Sequence, residues 1–235
     1  MKAVIVRTWS IFASVVTIAV LGVLVIEAWF FVHVIWWDRH NPAMTSFMEH
    51  SLEELRTKNP RAKLQQYWVP YSRISIHLKR AVIAAEDAKF TMHEGFDWEG
   101  IQVAIEKNQR YGRPIAGGST ISQQLAKNLF LSGERSLVRK AQEAAITVML
   151  ETVMSKQRIY ELYLNVVEWG NGIYGVEAAA RHYYGVSAAA LDEQQSARLA
   201  AMLPRPRFYD YSRDSPYLAE YADRILARMP DAQVP

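Results

Sequence analysis

An all-α domain in one piece, behind a single helix that crosses a membrane, is the fold class the sequence predicts. Three observations predict it. An uncharged apolar run occupies the N-terminus, from Trp9 to Ile26. Beyond it, apolar residues recur at helical spacing while alternating β-type runs are scarce. No internal repeat is visible, and 235 residues accommodate one sizeable core with lobes but not two large domains.

The N-terminal run reads "WSIFASVVTIAVLGVLVI", and "AWFFVHVIWW" extends its apolar character to Trp37. About 20 apolar residues cross a hydrocarbon core of about 30 Å, so the run suffices. A cleaved signal peptide is the rival, but its apolar core would be shorter and no small-residue cleavage site follows. Glu27 lies near the outer end, and Trp29, Trp36 and Trp37 form an aromatic belt there. Lys2 and Arg7 precede the span, which keeps the N-terminus in the cytoplasm and sends the rest outside. The expected layout is a cytoplasmic terminus at 1–8, anchor and belt at 9–37, a juxtamembrane segment at 38–67 and the main domain at 68–235.

The net charge of +3 is mild and no long basic block occurs, so nucleic acid is not an expected partner. The chain has no cysteine, which excludes disulfides and thiolate metal sites. His33 lies in the span, and His40, His50, His77 and His182 lack ligand spacing, so no zinc site is expected. No phosphate loop, dinucleotide fingerprint or nucleophile elbow is present.

Met44, Phe47, Met48, Leu52 and Leu55 follow the span at helical spacing. They suit a helix lying on the membrane surface or one packed on the core equally well. Helices are then predicted at Leu78–His93, Trp98–Asn108, Thr120–Leu131, Leu137–Met154, Arg158–Val167, Val176–Tyr184, Asp192–Leu203 and Pro216–Met229.

Three stretches carry chemistry-bearing residues. In "AVIAAEDAKFTMHEGFD", a helix running to His93 would put Glu86, Phe90 and His93 on one face. A half-buried carboxylate beside an aromatic ring has a raised pKa and suits acid–base work. Taken alone, the acidic pair Glu86–Asp87 reads more simply as a solvated helix end capped by His93. In "GGSTISQQLAKNLFL", Ser119 or Thr120 caps a helix whose apolar stripe is Ile121, Leu125 and Leu129. Gln123, Gln124, Lys127 and Asn128 cover another face with amides and one cation, able to grip a sugar or phosphate. A capped surface helix explains the same pattern. In "GERSLVRKAQEAA", Arg139 and Lys140 stand four and three residues before Glu143. Such pairs are usually ordinary surface links, but the apolar "AAITVML" that follows argues for burial. Six basic residues against three acidic ones between Lys127 and Arg158 would hold a diphosphate.

In this order the stretches resemble the motifs of the peptidoglycan glycosyltransferases that polymerise lipid II, glycosyltransferase family 51. "EDAKFTMHEGFD" fits E-D-x-x-F-x-x-H-x-G, "GGSTISQQLAKN" fits G-x-S-T-x-x-Q-Q-x-x-K-N, and "RKAQE" fits R-K-x-x-E. "KQRIYELYLNVVEWG" and "GVEAAARHYYG" match the fourth and fifth motifs, with small departures at Arg158 and Tyr160. The five span about Trp68 to Pro206.

The resemblance implies a lysozyme-like, two-lobed all-α fold with the smaller lobe close to the bilayer. It implies polymerisation of lipid II through β-1,4 bonds, inversion of the anomeric carbon and release of undecaprenyl diphosphate. Glu86 would be the general base, and Glu143 a second essential carboxylate that orients cations or coordinates a divalent ion at the diphosphate. No cofactor is required, and that divalent cation is the one candidate. Lys127, Arg135, Arg139 and Lys140 would neutralise the diphosphate. Ser119, Thr120, Gln123, Gln124 and Asn128 would line the cleft, Asp87, Phe90 and His93 would shape the surroundings of the base, and Asn165 would support the fold.

Expected partners are lipid II, the growing glycan, the bilayer, and proteins of cell-wall synthesis or division; the expected location is the bacterial inner membrane, with the catalytic domain periplasmic. No S-x-x-K-bearing segment follows the motifs, so no transpeptidase activity is expected. A lytic transglycosylase and a non-enzymatic wall scaffold are the rivals. The diphosphate-type motifs argue against the first and the intact Glu86 and Glu143 against the second.

Overall fold

The computed structural model describes residues 2–113, 117–131 and 136–235. The chain divides after His40 into two units. The first is one continuous helix, α1 (Lys2–Arg39). Its segment Phe12–Arg39 contains an 18-residue stretch of mean hydropathy 2.5 and is long and apolar enough to cross a membrane. At 1.5 Å per residue those 28 residues reach about 42 Å, which exceeds the hydrocarbon thickness of about 30 Å.

The second unit is predominantly helical. It opens with α2 (Ser46–Lys58), α3 (Ile76–Glu86), α4 (Trp98–Tyr111) and α5 (Ile121–Phe130). There follow α6 (Leu137–Val153), α7 (Lys156–Val166), α8 (Val176–Tyr184), α9 (Glu193–Met202), α10 (Pro206–Tyr211) and α11 (Pro216–Arg228). Two groups of helices pack together within this unit: α3 packs on α9 and α11, whereas α5 packs on α2, α6 and α7. Trp169, Tyr160, Tyr163, Tyr174 and Phe90 are the largest fully buried side chains. Burying an apolar side chain contributes about 1.5–3 kcal/mol, so this aromatic layer is a major stabilising element.

The structure decides the reading of α2. Its side chains Met48 and Ser51 are buried, and the helix lies against α5. Arg207 ties it down further, donating to Glu54 at 2.6 Å, to Ser51 at 2.9 Å and to Glu168 at 2.7 Å.

One prediction fails. The helix expected to run to His93 stops at Glu86, because Asp87 leaves helical geometry at φ −161°. Helix propensity alone would carry the chain through Ala88 and Lys89. The Asp87 carboxylate is instead captured by a residue of α5 far along the chain, and that bond dictates the turn. Two smaller features escape the sequence reading: the short helix α10, started by Pro206, and a three-stranded sheet. In that sheet β3 (Ile173–Tyr174) lies between a parallel β1 (Gln65–Gln66) and an antiparallel β2 (Glu168–Gly170).

Asn165 anchors this region. Its buried amide donates to the carbonyls of Val69 at 3.0 Å and Glu161 at 2.8 Å, and its oxygen accepts from the Val69 amide at 2.9 Å. Gly175, at φ +76°, passes so close that a Cβ there would lie 2.6 Å from the Asn165 carbonyl oxygen. Only glycine fits that crossing.

Candidate active site

Ala81, Val82, Ile83 and Ala84 bury one stretch of α3 and so fix the position of Glu86 at its C-terminal end. Asp87 then acts as a junction. One oxygen accepts the Ile121 amide at 3.0 Å, and His93 Nε2 lies 2.9 Å from the other. The expected partnership is thereby rearranged. His93 reaches Asp87, and the fully buried Phe90 ring faces Tyr160 at 5.5 Å and Lys156 at 4.6 Å. Among the described residues, the Glu86 carboxylate is hydrogen-bonded by Gln124, whose Nε2 donates to it at 2.7 Å.

That amide is itself oriented. The hydroxyl of Tyr163, on α7, donates to Gln124 Oε1 at 3.1 Å, which turns the NH₂ end toward Glu86. Removal from water pushes the Glu86 pKa up, the Gln124 donor pulls it down, nearby Asp87 raises it, and Lys127 lowers it. The balance is a carboxyl held above its ordinary value. Glu86 lines a cleft of about 750 Å³ together with Ser119, Gln124 and residues of α11.

The N-terminus of α5 is set by a capping box. Thr120 Oγ1 accepts the Gln123 amide at 3.2 Å, and Gln123 Oε1 accepts the Thr120 amide at 3.0 Å. Thr120 also donates to the Gly95 carbonyl at 2.7 Å. The side chains of Thr120 and Gln123 are thus engaged in holding the helix, with Gln123 buried under it, whereas Ser119 and Gln124 face the cleft. Asn128 is buried.

Glu143 sits on α6 and is 3% exposed, although the helix begins on the surface. One oxygen accepts from Arg139 at 2.7 Å and the other is paired with Lys140. The buried Arg139 Nε makes no hydrogen bond among the described residues. Lys127 stands within electrostatic reach of both carboxylates. Burial lowers its pKa, Glu143 raises it, Arg139 and Lys140 lower it, and Glu86 raises it. Its ammonium lies 5.8 Å from the Phe47 ring and has no ion pair among the described residues. Arg135 falls outside the described residues.

The sequence model of the family described as Transglycosylase matches residues 51–230. The chain belongs to that family. A biosynthetic peptidoglycan transglycosylase of Janthinobacterium sp. (strain Marseille) is 59% identical over 220 residues, 94% of this chain and 95% of the relative. One from Azoarcus sp. (strain BH72) is 63% identical over 209 residues, covering 89% and 90%. One from Methylobacillus flagellatus is 60% identical over 218 residues, covering 93% and 95%.

In this transglycosylase two contributors to the surroundings of Glu86 escaped the sequence reading. Tyr163 is one: within "YELYLN" it is indistinguishable from a core aromatic. The other is one face of α11, where Tyr217, Tyr221, Arg224 and Arg228 line the cleft. Their spacings of four, three and four place them on one helix face, a signal present in the sequence but shared with any amphipathic helix.

Glu143 is the carboxylate expected to orient cations or to coordinate a divalent ion at the diphosphate. Both of its oxygens are occupied by cations, and the described residues contain no group of three His, Asp or Glu side chains suited to a metal.

Proposed function

We propose that this peptidoglycan transglycosylase polymerises lipid II, with Glu86 as general base. The observation that carries the reading is a desolvated, amide-held carboxyl at the cleft wall, with Lys127 one helix turn along α5 from the Gln124 that holds it. Glu86 removes the proton from the 4-hydroxyl of the acceptor sugar as that oxygen attacks C1 of the donor. The bond from C1 to the diphosphate oxygen breaks, and undecaprenyl diphosphate leaves with the electron pair. Attack on the face opposite an α-linked leaving group gives the β product.

Lys127 and Arg139, with its buried unused Nε, supply positive charge where the leaving group gains negative charge. Lys140 adds to it. Glu143 holds Arg139 and Lys140 in place, and no step needs an ion bound there. The apolar α1 keeps the enzyme on the surface that carries its lipid-linked substrates, which raises the encounter frequency. The positive-inside rule places the N-terminus in the cytoplasm and residues 41–235 on the outer face of the inner membrane.

Incubating the purified full chain with lipid II tests the reading. Polymeric glycan and free undecaprenyl diphosphate are the expected products. Release of fragments from finished glycan, without polymerisation, would overturn it in favour of a lytic enzyme.

A further inference from the structure

Two groups of cations belong to the site, and they lie on different elements. Lys127, Arg139 and Lys140 belong to α5 and α6, and none of them lines the cleft of about 750 Å³. That cleft has its own cations: Lys107 from α4, and Arg224 and Arg228 from α11. Arg228 also lines a smaller cavity of about 140 Å³ with Glu86, Asp87 and Ser119. Its exposed guanidinium has no ion pair or hydrogen bond among the described residues. Arg224 pairs with exposed Glu220 at 3.0 Å and lies 5.4 Å from the Tyr221 ring. Between these charges stand Tyr217 and Tyr221, with ring centroids 6.3 Å apart. Tyr217, Tyr221, Arg224 and Arg228 line the same cleft as Glu86, so this face of α11 shares that space with the base.

The first group accounts for the leaving diphosphate, but it leaves the second without a ligand. We propose that the α11 face binds the acceptor through the carboxylates of its peptide, with Arg228 and Lys107 as the anion contacts and Tyr217 and Tyr221 as a platform for the sugar. This deepens the lipid II reading and rests on it. The acceptor must present its hydroxyl to Glu86, and the wall that shares the cleft with Glu86 is where the rest of it lies. A guanidinium forks onto a carboxylate, and an aromatic face accepts the apolar face of a sugar ring.

The test measures polymerisation by the full chain, comparing lipid II with a lipid-linked disaccharide diphosphate that lacks the peptide. In Arg228→Ala/Lys107→Ala the expected result on lipid II is a KM raised about tenfold, with kcat within about twofold. On the peptide-free substrate, wild type and double variant should perform alike. An equal loss on both substrates would overturn the proposal in favour of diphosphate binding, and no loss on lipid II would overturn it outright. An unchanged melting temperature shows that the variant folds, and Arg228→Lys should recover part of the KM. Inactivity of the wild type on lipid II would instead strike the proposed function itself.

Discussion

Glu86 and Glu143 are both carboxylates on helices, both largely removed from water, and both within reach of Lys127. Their surroundings differ in kind. Glu143 has a cation on each oxygen. Glu86 has one neutral amide, a neighbouring carboxylate in Asp87, and a lysine that acts at a distance. A cation in contact would stabilise the charge of Glu86 and lower its affinity for a proton. The arrangement found does the reverse, and it lets Glu86 take a proton while Glu143 holds Arg139 and Lys140 in place. One helix, α5, serves both sites, since Gln124 reaches Glu86 and Lys127 stands between the two.

The comparison is broken most severely by substituting each carboxylate with its amide. Glu86→Gln should reduce polymerisation about a thousandfold, within the range for loss of a general base, while raising stability by about 1 kcal/mol because an unfavourable charge is removed. The sign follows from linkage. A raised folded-state pKa means the native protein binds more protons, so wild type loses stability as pH rises from the unfolded to the folded pKa. Glu143→Gln should move stability the other way, by about 2 kcal/mol, since it strands two cations. Polymerisation should fall about a hundredfold. Thermal melts above neutral pH beside initial rates would check both; melting shifts of the same sign would sink the contrast.

Smaller changes sharpen it. In Gln124→Ala the one donor that lowers the Glu86 pKa is gone, so the acid limb of the kcat/KM profile should move to higher pH. At a pH below that limb the loss of rate should be several-fold, and it should shrink as pH rises. Tyr163→Phe leaves the amide in place but free to turn. A shift in the same direction and of smaller size is expected, and a profile that falls in amplitude without moving would contradict the relay.

The sequence carried most of the helices, because apolar periodicity and a capping residue such as Thr120 are local signals. It carried the two carboxylates and the cation cluster through ordered motifs. What it could not carry was the end of α3. "EDAKF" favours helix locally, and the acceptor demand of the Ile121 amide, 34 positions away, is what breaks it. For the same reason the sequence places Phe90 and His93 on one face with Glu86, whereas in the structure His93 meets Asp87 and Phe90 meets Tyr160. The sequence presents Gln123 and Gln124 as equals, since a capping residue and a cleft residue look alike until the chain folds. Strands of two or three residues leave no period to detect.

The junction at Asp87 also sets a clock. The pocket around Glu86 exists only while the Ile121 amide rests on that carboxylate, because this contact joins the end of α3 to the start of α5. Lifting α5 by one turn would separate Gln124 from Glu86. Under conditions where every opening leads to exchange, the rate at which the Ile121 amide proton exchanges with solvent therefore reports how often the assembled pocket opens. A ligand seated in the cleft should slow that exchange without touching the amide.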